Sequence, residues 1–170
     1  MTISLRVEYE KPGSAAVLKA ARKIFSEQVM LTMASVSPEV GVHANSAFFA
    51  IDEEFVVWFV SEATTRHSRN LHADARVAAS IFLDTPEHGE QLRGVQFFGT
   101  ARKAAAAEVP AGLRTYRQRF PTFAQTPQAQ RLFLDLDGPS FFYRFEVASL
   151  TLLDEPAFGR RVYLSATVER

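Results

Sequence analysis

The sequence predicts a mainly β protein, an antiparallel β-barrel with peripheral helices. Three observations carry this: six or seven short stretches of strand period, tight connections between them, and few stretches of helical period. The chain has 170 residues, 47% hydrophobic and 22% charged, an ordinary globular composition. At that length roughly 70% of the unfolded surface becomes buried, enough for a core without staples. One domain over 1–170 is expected, with an N-terminal arm over about 1–12. The 15 phenylalanines raise β propensity and read first as core.

The elements follow in chain order. SLRVEY alternates like an edge strand or arm until Pro12 and Gly13 break it. Ser14 reads as an N-cap, and over Ser14–Gln28 the residues Val17, Leu18, Ala21, Ile24 and Phe25 recur on one helical face. The period then changes to two, giving strands over Met30–Val36, Val42–Ile51 and Phe55–Ser61. Asp52, Glu53 and Glu54 form the turn of a hairpin between the last two. Thr64–Ala73 reads as a short helix opened by hydroxyl residues, and Val77–Leu83 as a strand. Leu92–Ala104 is a long strand in which Gly94 and Gly99 mark bends or close backbone approach. Val109–Arg119 is helical with Pro110 in its first turn, and Pro121 ends it. A second short helix is expected over Gln128–Leu134, then strands over Phe141–Leu153 and Val162–Val168 around the turn DEPAFGRR.

Composition excludes several functions. No cysteine is present, which removes disulfides, thiolate metal sites and cysteine nucleophiles. The 19 basic residues balance 19 acidic ones, so neither nucleic acid nor a membrane surface is an expected partner. With no long apolar run and no signal-peptide layout at the start, a cytoplasmic protein is expected. Gly94 and Gly99 have phosphate-loop spacing, but Thr100 and Ala101 stand where that loop needs Lys and Ser/Thr. Neither Gly-x-Gly-x-x-Gly nor Gly-x-Ser-x-Gly occurs, and His43, His67, His72 and His88 lack the spacing of a zinc protease, so no metal site is expected. The carboxylates Asp52, Glu53, Glu54, Asp135 and Asp137 lie in turns and read as solvated.

The informative segment runs from His43 to Asn70. The strand FVVWFV ends at Ser61, and Thr64, Thr65, Arg66, His67 and Ser68 then cluster at a helix start. Free backbone N–H groups and the positive end of the helix dipole favour an anion there, and Arg66 adds a bidentate contact. The same residues also read as a plain helix cap, with Arg66 and His67 facing water. Alternation puts His43, Asn45, Ala47 and Phe49 on one strand face, across the hairpin from Ser61. Asn45 reads as a partner for a ring edge or a phosphate oxygen, or as a group satisfying a bulge.

This order of elements resembles the pyridoxamine 5'-phosphate oxidase-like, FMN-binding split-barrel superfamily. Its segment after the hairpin reads aromatic-Thr-Asn-x-x-Ser-Arg/Lys-Lys and binds the flavin phosphate; Val60-Ser61-Glu62 and Thr65-Arg66-His67 fall on those positions. Its ring-contacting strand corresponds to Asn45, Ser46, Ala47 and Phe48. The chain is similar in particular to the YhbP-like branch. That similarity lies in Ala44-Asn45-x-x-Phe48, Thr65-Arg66-His67, Arg93-Gly94-Val95-Gln96-Phe97-x-Gly99, Tyr116-x-x-Arg119-Phe120-Pro121 and Phe158-Gly159-Arg160-Arg161.

The resemblance implies a six- or seven-stranded antiparallel split barrel that binds FMN. It further implies a homodimer with the cofactor cleft at its interface and oxidoreductase chemistry on a small-molecule substrate. Asn45 stands where the superfamily's oxidases carry a basic phosphate ligand, His67 where they carry Lys, and Gly94 where they carry a Gln that contacts the ring. Arg161, beside Arg160, corresponds to their C-terminal Arg near substrate. The alternatives are a split barrel that holds haem, a deazaflavin or a flavin without turnover, and one that has lost its cofactor.

Overall fold

The computed structural model describes residues 4–7, 12–37, 39, 41–84, 87–127, 129 and 138–170. Eight strands form one antiparallel sheet: β1 (Ser4–Val7), β2 (Met30–Ser37), β3 (Gly41–Ile51), β4 (Val56–Glu62), β5 (Arg76–Phe82), β6 (Arg93–Lys103), β7 (Ser140–Asp154) and β8 (Tyr163–Glu169). Their order is β1-β8-β7-β4-β3-β2-β5-β6, and β6 pairs again with β7. That second pairing closes β7, β4, β3, β2, β5 and β6 into a six-stranded barrel, with β8 and β1 added outside the ring. The six-stranded ring agrees with the six- or seven-stranded antiparallel barrel expected, and the N-terminal stretch pairs with the C-terminal strand outside it, Leu5 opposite Val168. β7 serves three neighbours: its first half pairs with β4, its length with β6 and its second half with β8.

Helices that accompany the sheet among the described residues are α1 (Ser14–Glu27), α2 (Arg66–Ala73), α3 (Val109–Arg119), α4 (Pro121–Ala124) and α5 (Glu155–Phe158). α1 begins one residue before its expected boundary, with Gly13 as N-cap and no side-chain bond to it. Its predicted apolar face is buried: Val17, Ala20, Ala21, Ile24 and Phe25 join the barrel core. Ile24 and Phe25 contribute about 1.5–3 kcal/mol each by that burial. The ring of Phe25 meets Phe97 edge-on at 5.3 Å. The last turn of α1 has no basic residue of its own. Arg119 of α3 supplies the charge instead, its guanidinium donating to the carbonyls of Ser26 at 2.8 Å, Phe25 at 3.1 Å and Gln28 at 2.5 Å.

Asp52, expected to be solvated, organises the hairpin between β3 and β4. Its carboxylate accepts from the backbone of Glu54 at 2.9 Å and Val56 at 3.0 Å, and from the indole of Trp58 at 3.0 Å. α3 and the outward residues Ala50, Val56, Trp58 and Phe142 form a second, smaller core outside the barrel. Gly112 lets the helix approach: a Cβ there would lie 2.6 Å from the Trp58 ring. The expected helix over Gln128–Leu134, Asp135, Asp137 and most of the N-terminal arm fall outside the described residues. No helix among the described residues is long and apolar enough to cross a membrane.

The β6–β7 ladder shifts register between Phe98 and Gly99, as a glycine within a strand suggests. A Cβ on Gly99 would lie 1.9 Å from the backbone oxygen of Glu146, which no side-chain rotation relieves. Gly99→Ala is therefore expected to destabilise the barrel by about 2 kcal/mol or more. Gly13→Ala, with nothing within 4 Å of the added carbon, serves as the near-neutral comparison in denaturant titrations.

Candidate functional site

β3 and β4 pair only from Ile51 opposite Val57 to Phe49 opposite Phe59. Beyond that point β3 stays with β2 as far as Gly41, and β4 with β7 as far as Glu62. The barrel is thus split along one seam. α2 sits at this end, its Asn70 donating to the buried Ser35 hydroxyl of β2 at 3.1 Å. Leu71 adds to the core beneath it.

The side chains meeting at the split are His43 and Asn45 of β3, Ser61 of β4, and Thr65, His67 and Ser68 at the start of α2. Thr65 is the N-cap, in extended conformation, with its hydroxyl accepting from the Ser68 N–H at 3.4 Å. For that reason α2 starts at Arg66 rather than at Thr64. The Ser61 hydroxyl lies 2.6 Å from His67 Nε2, 3.1 Å from Thr65 Oγ1 and 3.2 Å from Ser68 Oγ. The imidazoles of His43 and His67 stack with ring centres 6.3 Å apart and planes within 2°.

Burial, reinforced by the neighbouring His43, pushes the His67 ionisation below its ordinary value. The residue is neutral at pH 7 and brings a hydrogen-bonding ring, not a second cation. Asn45 differs from this cluster. Both polar atoms of its carboxamide are shielded from solvent, and neither has a hydrogen-bond partner among the described residues. Leaving such a group unmatched costs about 1–3 kcal/mol, so Asn45 is the candidate for a ligand contact at the split. Arg66 opens α2 and is half-buried at the same end.

The structure brings Asn45, Ser61, Thr65, Arg66 and His67 to one end of the barrel and separates the other expected site residues from them. Ala47 faces inward and packs on the core. Ser46 and Phe48 face outward: the Ser46 hydroxyl lies 3.3 Å from that of Thr32, and the Phe48 ring meets Phe120 at 6.0 Å. The Val60 side chain also points outward, into the smaller core beneath α3. Asn45 is level with Met33, Ala79 and Phe97 across the sheet. Gly94 lies three residues further along β6, roughly 10 Å at the rise of a strand, and its neighbours on the outer face are Gln96 and Phe98. A Cβ on it would strike the Phe82 ring at 2.6 Å.

Arg161 sits at the same end as Gly94. Its backbone is left-handed, with φ 60°, and its N–H is held at 2.9 Å by the buried carboxylate of Glu155. Glu155 also accepts from the Leu92 N–H at 3.0 Å. A cavity of about 350 Å³ lies there among His88, Glu155, Arg160 and Arg161.

Two groups escaped sequence reasoning. Gln96 lines a shallow outer-face groove of about 230 Å³ with Thr32, Ala34, Ala44, Ser80 and Phe98. Its position two residues after Gly94, on the same strand face, was the available signal. The other is Tyr116, whose hydroxyl donates to the Phe48 carbonyl at 2.8 Å, inside the split. Burial pushes its ionisation well above the usual phenol range, and the Val60 backbone against the same oxygen opposes that shift. A larger cavity, about 500 Å³ between α1, the β3–β4 turn and α3, is lined by Arg22, Asp52, Phe55 and Arg119. Asp52 and Arg119 spend their polar atoms there on the protein's own backbone and on Trp58.

Comparison with known proteins places this geometry. A family model described as pyridoxamine 5'-phosphate oxidase matches residues 17–138. A UPF0306 protein of Enterobacter sp. (strain 638) is 36% identical over 77 residues, 45% of this chain and 54% of that one, so the chain spans about half the length of that relative. The UPF0306 protein YhbP of Escherichia fergusonii is 29% identical over 105 residues, 61% of this chain and 70% of that one. Among solved structures, a haem-binding protein of Mycobacterium smegmatis superposes with TM-score 0.69 at 18% identity, covering 91% of this chain and 58% of that one. At that identity the likeness is one of fold.

The depressed ionisation of His67 makes stability depend on pH. Protonation is resisted in the folded state and free in the unfolded one, so the unfolded chain binds more protons as pH falls below 6.5. The contribution is complete above that value and is lost as pH falls through the folded-state midpoint. Melting temperature is expected to drop over that window, and to drop less in His67→Gln. An NMR titration should place the His67 midpoint below 6.5, the ordinary histidine value.

Proposed function

Because the chain belongs to the pyridoxamine 5'-phosphate oxidase family, in its YhbP-like split-barrel branch, we propose that it is an FMN-binding oxidoreductase acting on a small organic molecule. The observation that carries this reading is Asn45, a shielded carboxamide without a partner where β3 and β4 separate. Beside it stand the start of α2, the Arg66 side chain and the hydroxyls of Ser61, Thr65 and Ser68. These residues fit a phosphate-bearing group: N–H groups at the start of α2 donate, the hydroxyls hold that start in place, and Arg66 supplies the charge. His67, held neutral, adds a hydrogen bond in place of the superfamily's Lys. The chemistry such a group supplies when bound is hydride exchange with the substrate. The chain's own contribution is to bind it and to exclude water from the barrel end.

A homodimer goes with this reading. The outer face of β2, β3, β5 and β6 exposes Val42 at 73%, Phe48 at 56%, Phe82 at 44%, Met30 at 43% and Phe98 at 42%. The outward side chains between them are Ala, Val, Ser, Thr and Gln, with Arg76 at the Val42 end, so the face carries a largely apolar patch suited to a second copy. Pairing two copies across it brings the Gly94 and Arg161 end of one towards the Asn45 and His67 end of the other. A cytoplasmic setting accords with this reading.

A second reading, haem binding without turnover, draws on the likeness in fold to the Mycobacterium smegmatis haem-binding protein. It also draws on His43, whose imidazole makes no hydrogen bond among the described residues. His43 rather than His67 is the candidate iron ligand, because His67 Nε2 is engaged by Ser61.

FMN mixed with the purified protein is expected to survive gel filtration as a flavin absorbance. Arg66→Ala should weaken that retention about tenfold, the loss of one charge-assisted contact. A protein that never retains the chromophore, yet shows a Soret band on haem addition that is lost in His43→Ala, supports the second reading instead. Phe98→Asp should turn a dimer into a monomer by light scattering, with flavin retention falling in parallel.

A further inference from the structure

A carboxamide carries two kinds of hydrogen-bonding atom, an Nδ2 that donates and an Oδ1 that accepts, and each needs its own partner. Among the described residues, Asn45 is where such a whole group is shielded and unmatched on both atoms. Other buried polar side chains show how this chain treats the groups it uses for itself. Asn70 donates to Ser35 Oγ at 3.1 Å, and Ser68 donates to Ser61 Oγ at 3.2 Å. The carboxylate of Glu155 takes two backbone N–H groups. Arg93 leaves one shielded nitrogen over, but its guanidinium binds Glu27 at 2.7 Å through another.

The surroundings of Asn45 explain why nothing in the chain answers it. Across the ladder stands Met33, and level with that pair are Ala79 and Phe97. Met33 and Phe97 are fully buried, and Ala47, the next residue on the same face, packs on the core. On the other side His43 is stacked on His67. None of these sets a donor and an acceptor side by side. On the β4 side the register ends at Phe49, so Asn45 has β2 as its one strand partner.

Two unmatched atoms of opposite kind constrain what can bind. A phosphate at neutral pH offers acceptor oxygens and negative charge. It would take the Nδ2–H, set its oxygens against Oδ1 and leave that atom unmatched. An N–H beside a carbonyl, the edge of a lactam or imide, satisfies both atoms through two parallel bonds. Turning the amide over exchanges the two atoms and leaves this requirement unchanged. We propose that Asn45 reads the imide edge of the ligand's ring and takes no part in holding its phosphate. That the ring is a flavin rests on the FMN reading above; the need for a paired donor and acceptor rests on the carboxamide alone. Charge recognition then falls to Arg66 and the start of α2. A neutral amide where the superfamily's oxidases carry a basic residue thus changes what the position recognises.

FMN, FMN methylated at N3, and the variant Asn45→Leu test this on the full-length protein. FMN is expected to bind the parent about tenfold more tightly than its N3-methyl form, and Asn45→Leu to remove that preference. Riboflavin, which lacks the phosphate, should lose as much affinity in the variant as FMN does. Without ligand, the variant should melt at or above the parent's temperature, because an unmatched amide is gone. Equal affinity of the parent for both forms of FMN would overturn the proposal. So would a preference that survives in Asn45→Leu, or a loss seen with FMN and spared with riboflavin, which puts the phosphate at Asn45. A lower melting temperature with flavin affinity unchanged assigns the amide to a buried water and overturns it too. Failure of the flavin reading is told apart by the Asn45 side-chain amide signals in NMR titrations with uracil and with inorganic phosphate. A parent that holds no flavin, but whose signals move with uracil and not with phosphate, keeps the imide assignment. Signals that stay still in both, or move with phosphate, defeat it.

Discussion

The parting of β3 from β4 is the constraint on which the rest of the site depends. A strand normally gives up a neighbour at the expense of its backbone hydrogen bonds. Here neither strand is left unsupported. β4 keeps its full pairing with β7, from Val56 opposite Glu146 to Glu62 opposite Ser140, and β3 keeps β2 from Phe48 to Gly41. The seam therefore opens on one side of each strand while the other side holds it extended. That arrangement creates a polar recess in a barrel whose interior is otherwise Phe, Val, Leu and Ile.

What lines the recess falls into two groups with opposite energetics. Ser61, Thr65, Ser68 and His67 satisfy one another within 3.2 Å, and such bonds contribute about 0.5–1.5 kcal/mol each in net terms. They preorganise the start of α2 and need no ligand. Asn45 receives nothing comparable from the protein, so its carboxamide is the group whose energy improves most when a partner arrives. Neutral His67 fits the same division. A cation stacked on His43 would carry both burial and repulsion, so positive charge at this end comes from Arg66 and the helix terminus.

Much of this was legible in the sequence because it rests on local periodicity. The inward face of His43, Asn45, Ala47 and Phe49 follows from strict alternation, and α1 from five apolar residues on one stripe. The Thr65 cap followed from hydroxyl residues ahead of a helix. Three features were not legible, each because it depends on residues far apart in the chain. Val60 precedes Ser61 in the matching motif, yet strand alternation sends its side chain under α3. Tyr116 reaches the seam from 68 residues away, and nothing near it marks a hydrogen bond to a strand carbonyl. The left-handed backbone of Phe55, φ 53°, occupies a hairpin position that favours glycine, and the burial of its ring against Phe25 at 5.9 Å holds it there.

The far end of the barrel bears on the same site through a different kind of strain. A left-handed arginine costs about 1–2 kcal/mol, and Arg161 adopts that conformation where Glu155 accepts its N–H. Glu155 also accepts from Leu92, and the interactions of its carboxylate with the two backbone N–H groups hold its ionisation below the ordinary value. One carboxylate thus ties the entry of β6 to the turn between β7 and β8. The result is that Arg160 and Arg161 are set beside the start of β6, where Gly94 opens the outer face. Within one chain Gly94 and Asn45 lie on opposite faces of the sheet, so the two ends present separate surfaces. The homodimer proposed above is the arrangement that would bring the two ends to one ligand. That proposal turns on the outer face between Val42 and Phe98, which carries no charge but Arg76 at one end.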